Sequence, residues 1–290
     1  MFTKEYIHRV AADYNLAQRL SRYLVDVFPG LETASSVKKA IKKDSILING
    51  RIGNTGDYIR PCDVISYTKK IDLDTPDLDI DVEIVFEDEH LLILNKPFGM
   101  VSVSSRHRHS IQGYLHNSEF RNLDSDLVFP QLIHRLDRDT GGLIIAAKDL
   151  TTRRALGDML EQGEVQKYYT ALVEGRVEEC PFKIASKVDD KAALTYILNT
   201  QPTNTEDRTT MLSIKLATGR KHQIRRHLHS ICHPIVGDNI YNKTGLNFGR
   251  GLFLMARRVE FLHPITQIIV SAEIDLHAKF NKYVRKLSVL

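Results

Sequence analysis

The sharpest change of polarity along the chain lies in its middle. An apolar approach, Val128-Phe129-Pro130-Gln131-Leu132-Ile133, gives way to the charge-dense stretch His134-Arg135-Leu136-Asp137-Arg138-Asp139-Thr140-Gly141-Gly142. The run Leu143-Ile144-Ile145-Ala146-Ala147 follows, apolar throughout, behind glycines, and short enough to be a buried strand. The pattern therefore predicts a polar loop between two strands, the arrangement in which a rigid scaffold presents reactive groups. Further on, Lys167-Tyr168-Tyr169-Thr170-Ala171 reads as a strand, and alternation places Tyr168 and Tyr169 on opposite faces. The polar stretch 200–208 predicts a hairpin loop between two strands. Residues 102–131 are irregular and hold Arg106, His107, Arg108 and His109, which we expect to border a cleft.

The N-terminal part has its own pattern. Residues 17–28 carry apolar positions at helical spacing, and Pro29-Gly30 ends them. Ser35 or Ser36 is placed to cap a second helix over Val37–Lys43. Ser45–Arg51 predicts strand, Asn-Gly turn, strand, and Arg60–Tyr67 closes the segment as another strand. The acidic, proline-containing stretch that begins at Ile71 cannot easily continue a helix or a central strand, so it reads as a linker. The expected division is 1–70, a linker at 71–82, and 83–290.

Composition narrows the class. The 290 residues are 42% hydrophobic, enough for a real core in one large domain or two. No apolar run approaches the ~18 residues that span a membrane, and Met1–Tyr6 lacks an apolar signal region. Cys62, Cys180 and Cys232 are few, odd in number and far apart, which argues against a disulfide framework and fits a reducing cytoplasm. The net charge of +4 is unevenly spread. Residues 1–70 carry 12 Lys and Arg against 7 Asp and Glu, residues 71–95 carry 9 acids and no Lys or Arg, and residues 211–260 carry 9 bases against 2 acids. Two basic blocks separated by an acidic one suggest two surfaces for a polyanion. Glycine-rich dinucleotide and phosphate loops are absent, as is any Cys-x-x-Cys pair, so no cofactor or metal is expected.

The order of residues in the central loop adds more. His134-Arg135-Leu136-Asp137-x-x-Thr140-x-Gly142 resembles the signature loop of the RluA/RluD-type RNA pseudouridine synthases. Further matches come in family order. They are Asn95-Lys96-Pro97-x-Gly99, Lys167-Tyr168-Tyr169-x-Ala171-Leu172-Val173-x-Gly175, Leu216–Leu228 with its Gln223-Ile224-Arg225, and His233-Pro234-Ile235-Val236-Gly237-Asp238. Leu254-Met255-Ala256 and Phe261-Leu262-His263-Pro264 close the set, so the resemblance covers roughly residues 83 to 275. The chain departs from the family where Gly141 replaces the usual Ser and Met255 the more frequent His. Residues 17 to 67 resemble the S-four-type RNA-binding domain that often precedes such a synthase. Lys38, Lys39, Lys42, Lys43, Arg51 and Arg60 would there contact phosphates, which sets position and affinity rather than sequence choice.

The resemblance implies an α+β fold, a large mixed, mainly antiparallel sheet with flanking helices and a cleft across it, preceded by the small RNA-binding domain. It implies the conversion of uridine to pseudouridine, which breaks the bond between base nitrogen and sugar, turns the base, and rejoins it through a ring carbon. A carboxylate beside the sugar can attack the anomeric carbon or take a proton from its neighbour, and by resemblance Asp137 does one of these. Arg225 supplies the cation that keeps Asp137 ionised, and an Asp137–Arg225 ion pair is expected. A target base inside a stem must be flipped out, and Tyr169 is expected to stack on it. Arg135 would fill the gap left by the base, Leu228 would pack against the uracil, and Lys96 and Arg220 are candidates for RNA or structural contacts. RNA is the expected partner, large-subunit ribosomal RNA first and transfer RNA second, for a cytoplasmic monomer without membrane contact. Two other readings compete. One is a non-catalytic RNA-binding or ribosome assembly protein; the other is a hydrolase that uses Asp137 with a histidine. The cluster His222, His227, His229, Cys232 and His233 also invites a zinc reading, which its place inside the RNA-contact motif disfavours.

Overall fold

The computed structural model describes residues 2–71, 73, 77–104, 109–204, 209–243, 245–246 and 249–284. Arg106, His107 and Arg108 lie outside the described residues, as do 205–208 of the predicted loop. The chain forms two compact units, Met1–Asp77 and Leu78–Leu290, so the division falls within the acidic stretch.

The first unit contains β1 (Phe2–Arg9), α1 (Leu20–Tyr23), α2 (Ala34–Lys42), β2 (Ile46–Ile48), β3 (Arg51–Ile52) and β4 (Val64–Ile71). Its four strands order as β1-β4-β2-β3. The Asn49-Gly50 pair joins β2 to β3 with both residues at positive φ, 49° and 80°, as a tight hairpin turn requires. The first helix is much shorter than its apolar spacing predicts. Arg19 is drawn into a bridge with Tyr58, and Asp26 turns through a φ of 61°. Leu20, Leu24 and Phe28 are all buried nonetheless, so the spacing serves the core although one turn alone is α-helical. The cap of α2 is Thr33 rather than Ser35 or Ser36. Its hydroxyl accepts from the Ser36 amide at 3.1 Å while the Ser36 hydroxyl accepts from the Thr33 amide at 3.1 Å, a reciprocal capping box. Val37, Ala40 and Ile41 face the core, which leaves Lys38, Lys39, Lys42 and Lys43 exposed.

The second unit is α+β. Its strands are β5 (Glu83–Glu87), β6 (Leu91–Lys96), β7 (Gln131–Leu132), β8 (Gly141–Ala147), β9 (Gln166–Glu174), β10 (Phe182–Val188), β11 (Lys191–Asn204), β12 (Thr209–Leu216), β13 (Leu254–Leu262) and β14 (Ile269–Glu273). The helices are α3 (Ile111–Tyr114), α4 (Leu150–Gln162), α5 (Gln223–Ser230) and α6 (Ala278–Val284). One ten-stranded sheet runs β10-β11-β12-β9-β13-β8-β6-β5, with β14 on β13 and β7 on β8. Every pairing is antiparallel except β13 with β8.

The two apolar runs of the sequence are neighbours in this sheet, β6 beside β8, and Leu91–Leu94 and Leu143–Ala147 are fully buried. Each buried leucine or isoleucine among them contributes about 1.5–3 kcal/mol, so the polar loop sits on a well-packed floor. α4 starts where Asp149 accepts from the Thr152 amide at 2.7 Å and ends at Gly163, whose φ of 76° suits glycine. β11 runs through residues 200–204, where the polarity of the sequence predicts a loop. Pro202 is tolerated because β10 pairs only as far as Ile197, so the last part of β11 is a free edge on that side.

Candidate active site

Asp137 sits in the turn that leads into β8, and its neighbours are fixed from several sides. The Ser102 hydroxyl accepts from the Leu136 amide at 2.9 Å and donates to the Leu136 carbonyl at 2.8 Å. The Thr140 amide donates to the Asp137 carbonyl at 3.1 Å. Lys96 is 1% exposed, and its ammonium donates to the carbonyls of Pro97, Met100 and Arg138 at 3.0, 2.6 and 3.1 Å. Burial pushes its pKa down to about 8, against the fields of Asp139 and Asp137. Lys96 is thus a brace between the Asn95–Gly99 turn and the Asp137 loop, and not an RNA contact. Arg138 adds a bond to the Gly99 carbonyl at 3.1 Å. His134 Nε2 accepts from the Ile145 amide at 3.2 Å. Burial, with Lys167 nearby, lowers the His134 pKa to about 3, so this ring is a neutral acceptor.

Gly141 and Gly142 complete the loop. A Cβ at Gly141 would stand 2.6 Å from the Phe98 ring, so Phe98 occupies the space where the family usually carries a serine side chain. Gly142 has a φ of 109°, and a Cβ there would stand 2.1 Å from the Ala256 carbonyl oxygen. That close approach lets β8 and β13 pair in parallel, Met255 with Gly141 and Ala256 with Gly142.

The loop opens on a cavity of about 470 Å³ that Asp137, Tyr169, Arg135, Arg220, Lys167 and the start of α5 line. The carboxylate of Asp137 remains 25% exposed. Two groups flank it. Arg225 Nη1 is 3.6 Å from Oδ2, and His222 Nε2 is 3.6 Å from Oδ1. The expected Asp137–Arg225 pairing is therefore a charge contact rather than a hydrogen bond. The closer partner of Arg225 is Asp238, which accepts from Nε and Nη2 at 2.7 Å each, while the amides of Ile240 and Tyr241 donate to the same carboxylate. Burial opposes the charge on Arg225, but the paired bonds from Asp238 and the fields of Asp238 and Asp137 outweigh it and raise its pKa. Asp238 is likewise disfavoured by burial, yet Arg225 and the two amides hold its pKa low. Asp137 thus faces a permanent cation that a second carboxylate fixes in place. Asp238 ends one of the family-like motifs, but motif spacing alone does not reveal a partner 13 residues away.

Tyr169 points to the cavity from β9, between Ile214 of β12 and Ala256 of β13. Burial and the nearby Asp137 push its pKa up, so the hydroxyl stays protonated. Tyr168 faces the other way, under the Arg258 guanidinium at 5.3 Å. Arg135 and Arg220 are exposed on the cavity rim, and Arg220 Nε also donates to the Ala192 carbonyl at 3.2 Å. Leu228 is fully buried in the core and does not line the cavity; the apolar lining is Leu136, Leu216, Ile224 and Leu254. Lys167, its pKa lowered by burial, also lines it, as does Thr140. Neither carries a sequence signal beyond its place in a motif. In the first unit, Arg51 is paired with Asp57 at 2.8 Å, and Arg60 is exposed.

The histidines do not converge. His227 binds Thr195 Oγ1 and the Ser186 carbonyl, His233 binds the Glu174 carbonyl, and His229 is exposed. Among the described residues no group of three or more His, Cys, Asp or Glu is placed to hold a metal ion.

A family model described as RNA pseudouridylate synthase matches residues 90–230. The chain is 30% identical over 221 residues to an uncharacterized RNA pseudouridine synthase of Bacillus subtilis, covering 71% of this chain and 72% of that protein. It is 32% identical to the ribosomal large subunit pseudouridine synthase C of Vibrio cholerae, covering 70% and 67%. The chain belongs to the RNA pseudouridine synthase family. Within it, the chain is of the RluA/RluD type and is an isomerase. The solved human RNA pseudouridylate synthase domain containing 4 superposes with a TM-score of 0.55 at 20% identity, covering 71% of this chain and 92% of that one, which shows the shared synthase fold. The segment that matches the family model contains Asp137, Tyr169 and Arg225, and Gly141 facing Phe98 is this synthase's variation on the signature loop.

Proposed function

We propose that this synthase isomerises uridines in structured RNA, large-subunit ribosomal RNA first, with Asp137 acting at the sugar. One observation carries the mechanistic reading. Asp137 is the carboxylate in a cavity that also presents a buried aromatic ring, Tyr169, and a fixed cation, Arg225. The target base leaves its stack and lies against Tyr169, which recovers ~1–3 kcal/mol of the flipping cost. Arg135, on the rim, takes the place of the base in the helix. Asp137 attacks the anomeric carbon or takes the neighbouring proton, with the Arg225 guanidinium 3.6 Å from its carboxylate. Lys167, Arg220 and Lys221 add positive potential at the cavity mouth for the phosphates.

We assign RNA capture to the first unit as well, through the exposed lysines of α2. Ribosomal RNA is favoured because named relatives, the large-subunit synthases C and D of Vibrio cholerae and Nitrosomonas europaea, carry that substrate in their names. No helix among the described residues is long and apolar enough to cross a membrane. The three cysteines are free, which supports work in a reducing compartment. The test is release of tritium from carbon five of uridine in separate pools of ribosomal and transfer RNA. Release from ribosomal RNA is expected. Release from transfer RNA alone would replace the substrate, and release from neither pool would count against both.

A further inference from the structure

The isomerisation needs a second base, and the cavity restricts where it can be. Once the ring has turned, carbon five is joined to the anomeric carbon and still carries its hydrogen. Whatever removes that hydrogen must stand beside the group that serves the anomeric carbon, which on the reading above is Asp137. Among the described residues two basic side chains lie within 4 Å of the Asp137 carboxylate, Arg225 and His222. Arg225 is a cation locked onto Asp238 and cannot accept a proton.

We propose that His222 Nε2 takes the proton from carbon five. The C5–H bond breaks, its electron pair restores the C5–C6 double bond, and the proton moves to His222. The C6–N1 double bond that formed when carbon five joined the sugar opens toward ring nitrogen one, which takes a proton from water, and His222 returns its own to water. No electron is gained or lost.

The local structure suits this role. His222 holds a left-handed φ of 56° just before α5, so the backbone fixes where the ring can point. Its Nδ1 is 3.1 Å from the Tyr241 hydroxyl, which accepts from Arg226 Nε at 2.9 Å. The proposed step takes the tautomer with the proton on Nδ1, which leaves the Nε2 lone pair free. With Nδ1 held on that side, Nε2 is left toward Asp137 and the cavity. The 3.6 Å gap exceeds a hydrogen bond and leaves room for a substrate atom. The groups that set its charge are Asp137, Arg225, Lys221 and Asp238, with Asp189 beyond. Burial lowers the His222 pKa more than Asp137 raises it, so the ring is neutral and able to accept near pH 7. Burial and the nearby Asp137 push the Tyr169 phenol up, so its hydroxyl enters the step with its proton on.

The inference rests on Asp137 acting at the sugar, and its test separates the two. His222→Gly tolerates the positive φ and leaves a hole for added imidazole. Tritium release from carbon five should fall about 10²-fold, RNA affinity should hold, and a carbon-five deuterium isotope effect should exceed the wild-type value. Imidazole should restore the rate, and more so as pH rises through its own pKa. His222→Asn, also compatible with positive φ, should share the defect without rescue. Wild-type release, or a defect with neither isotope effect nor rescue, would overturn the proposal, as would an isotope effect that appears in Lys167→Met instead. Activity retained in Asp137→Asn would sink the reading of Asp137 on its own account.

Discussion

At the residue scale, Asp238 shows how the site hides its support. Removing it in Asp238→Ala takes both short hydrogen bonds from a buried guanidinium, which costs about 3–5 kcal/mol in stability. It also frees Arg225 from the position where it faces Asp137. We expect a large fall in the thermal midpoint and a fall in kcat that added salt does not repair. Unchanged stability would mean that the Arg225–Asp238 pair is dispensable. The sequence singles out Asp137, Tyr169 and Arg225 through their motifs, and the three meet at one cavity. It does not reveal that Lys96 turns inward onto three carbonyls or that Leu228 is core. Motif position says that a residue is retained near the site; only packing says which way it points.

At the element scale, the junction of β8, β13 and the Asn95–Gly99 turn decides how the loop is held. Phe98 fills the space beside Gly141, and the Lys279 ammonium lies 3.2 Å from the centre of its ring. Gly141→Ser alone should therefore overpack this junction and destabilise the protein by about 1–3 kcal/mol. Combined with Phe98→Leu, which vacates the ring, the same change should cost less than the sum of the two single variants. Additive effects in chemical denaturation would show that the two positions are independent. The buried strands are legible in the sequence because continuous apolar runs have few other fates. The first helix and the 200–208 loop depart from their sequence patterns for a shared reason. Strand pairing, of Arg19 with the distant Tyr58 and of Pro202 with Thr210 across the β11–β12 hairpin, overrides the local pattern.

At the scale of the whole molecule, the boundary between the two units falls inside the acidic, proline-containing stretch, where a block of like charge cannot build a core. The proposed RNA role of the first unit predicts a specific salt effect. Replacing Lys38, Lys39, Lys42 and Lys43 with Gln should lower RNA affinity and flatten its log–log salt dependence by about 3, on ~0.7–0.9 per phosphate contact. The turnover of bound substrate should not change. An unaltered slope in filter binding would remove the α2 face from the interface.

The central claim is that Asp137 carries the chemistry of this synthase, and Asp137→Asn tests it most directly. The substitution keeps the size of the side chain and removes its charge. The measurement is tritium release from carbon five of uridine in ribosomal RNA, with RNA binding and the thermal midpoint followed in parallel. The account predicts no release from the variant beside robust release from wild type, with binding and fold retained. Release at the wild-type rate from Asp137→Asn would contradict it.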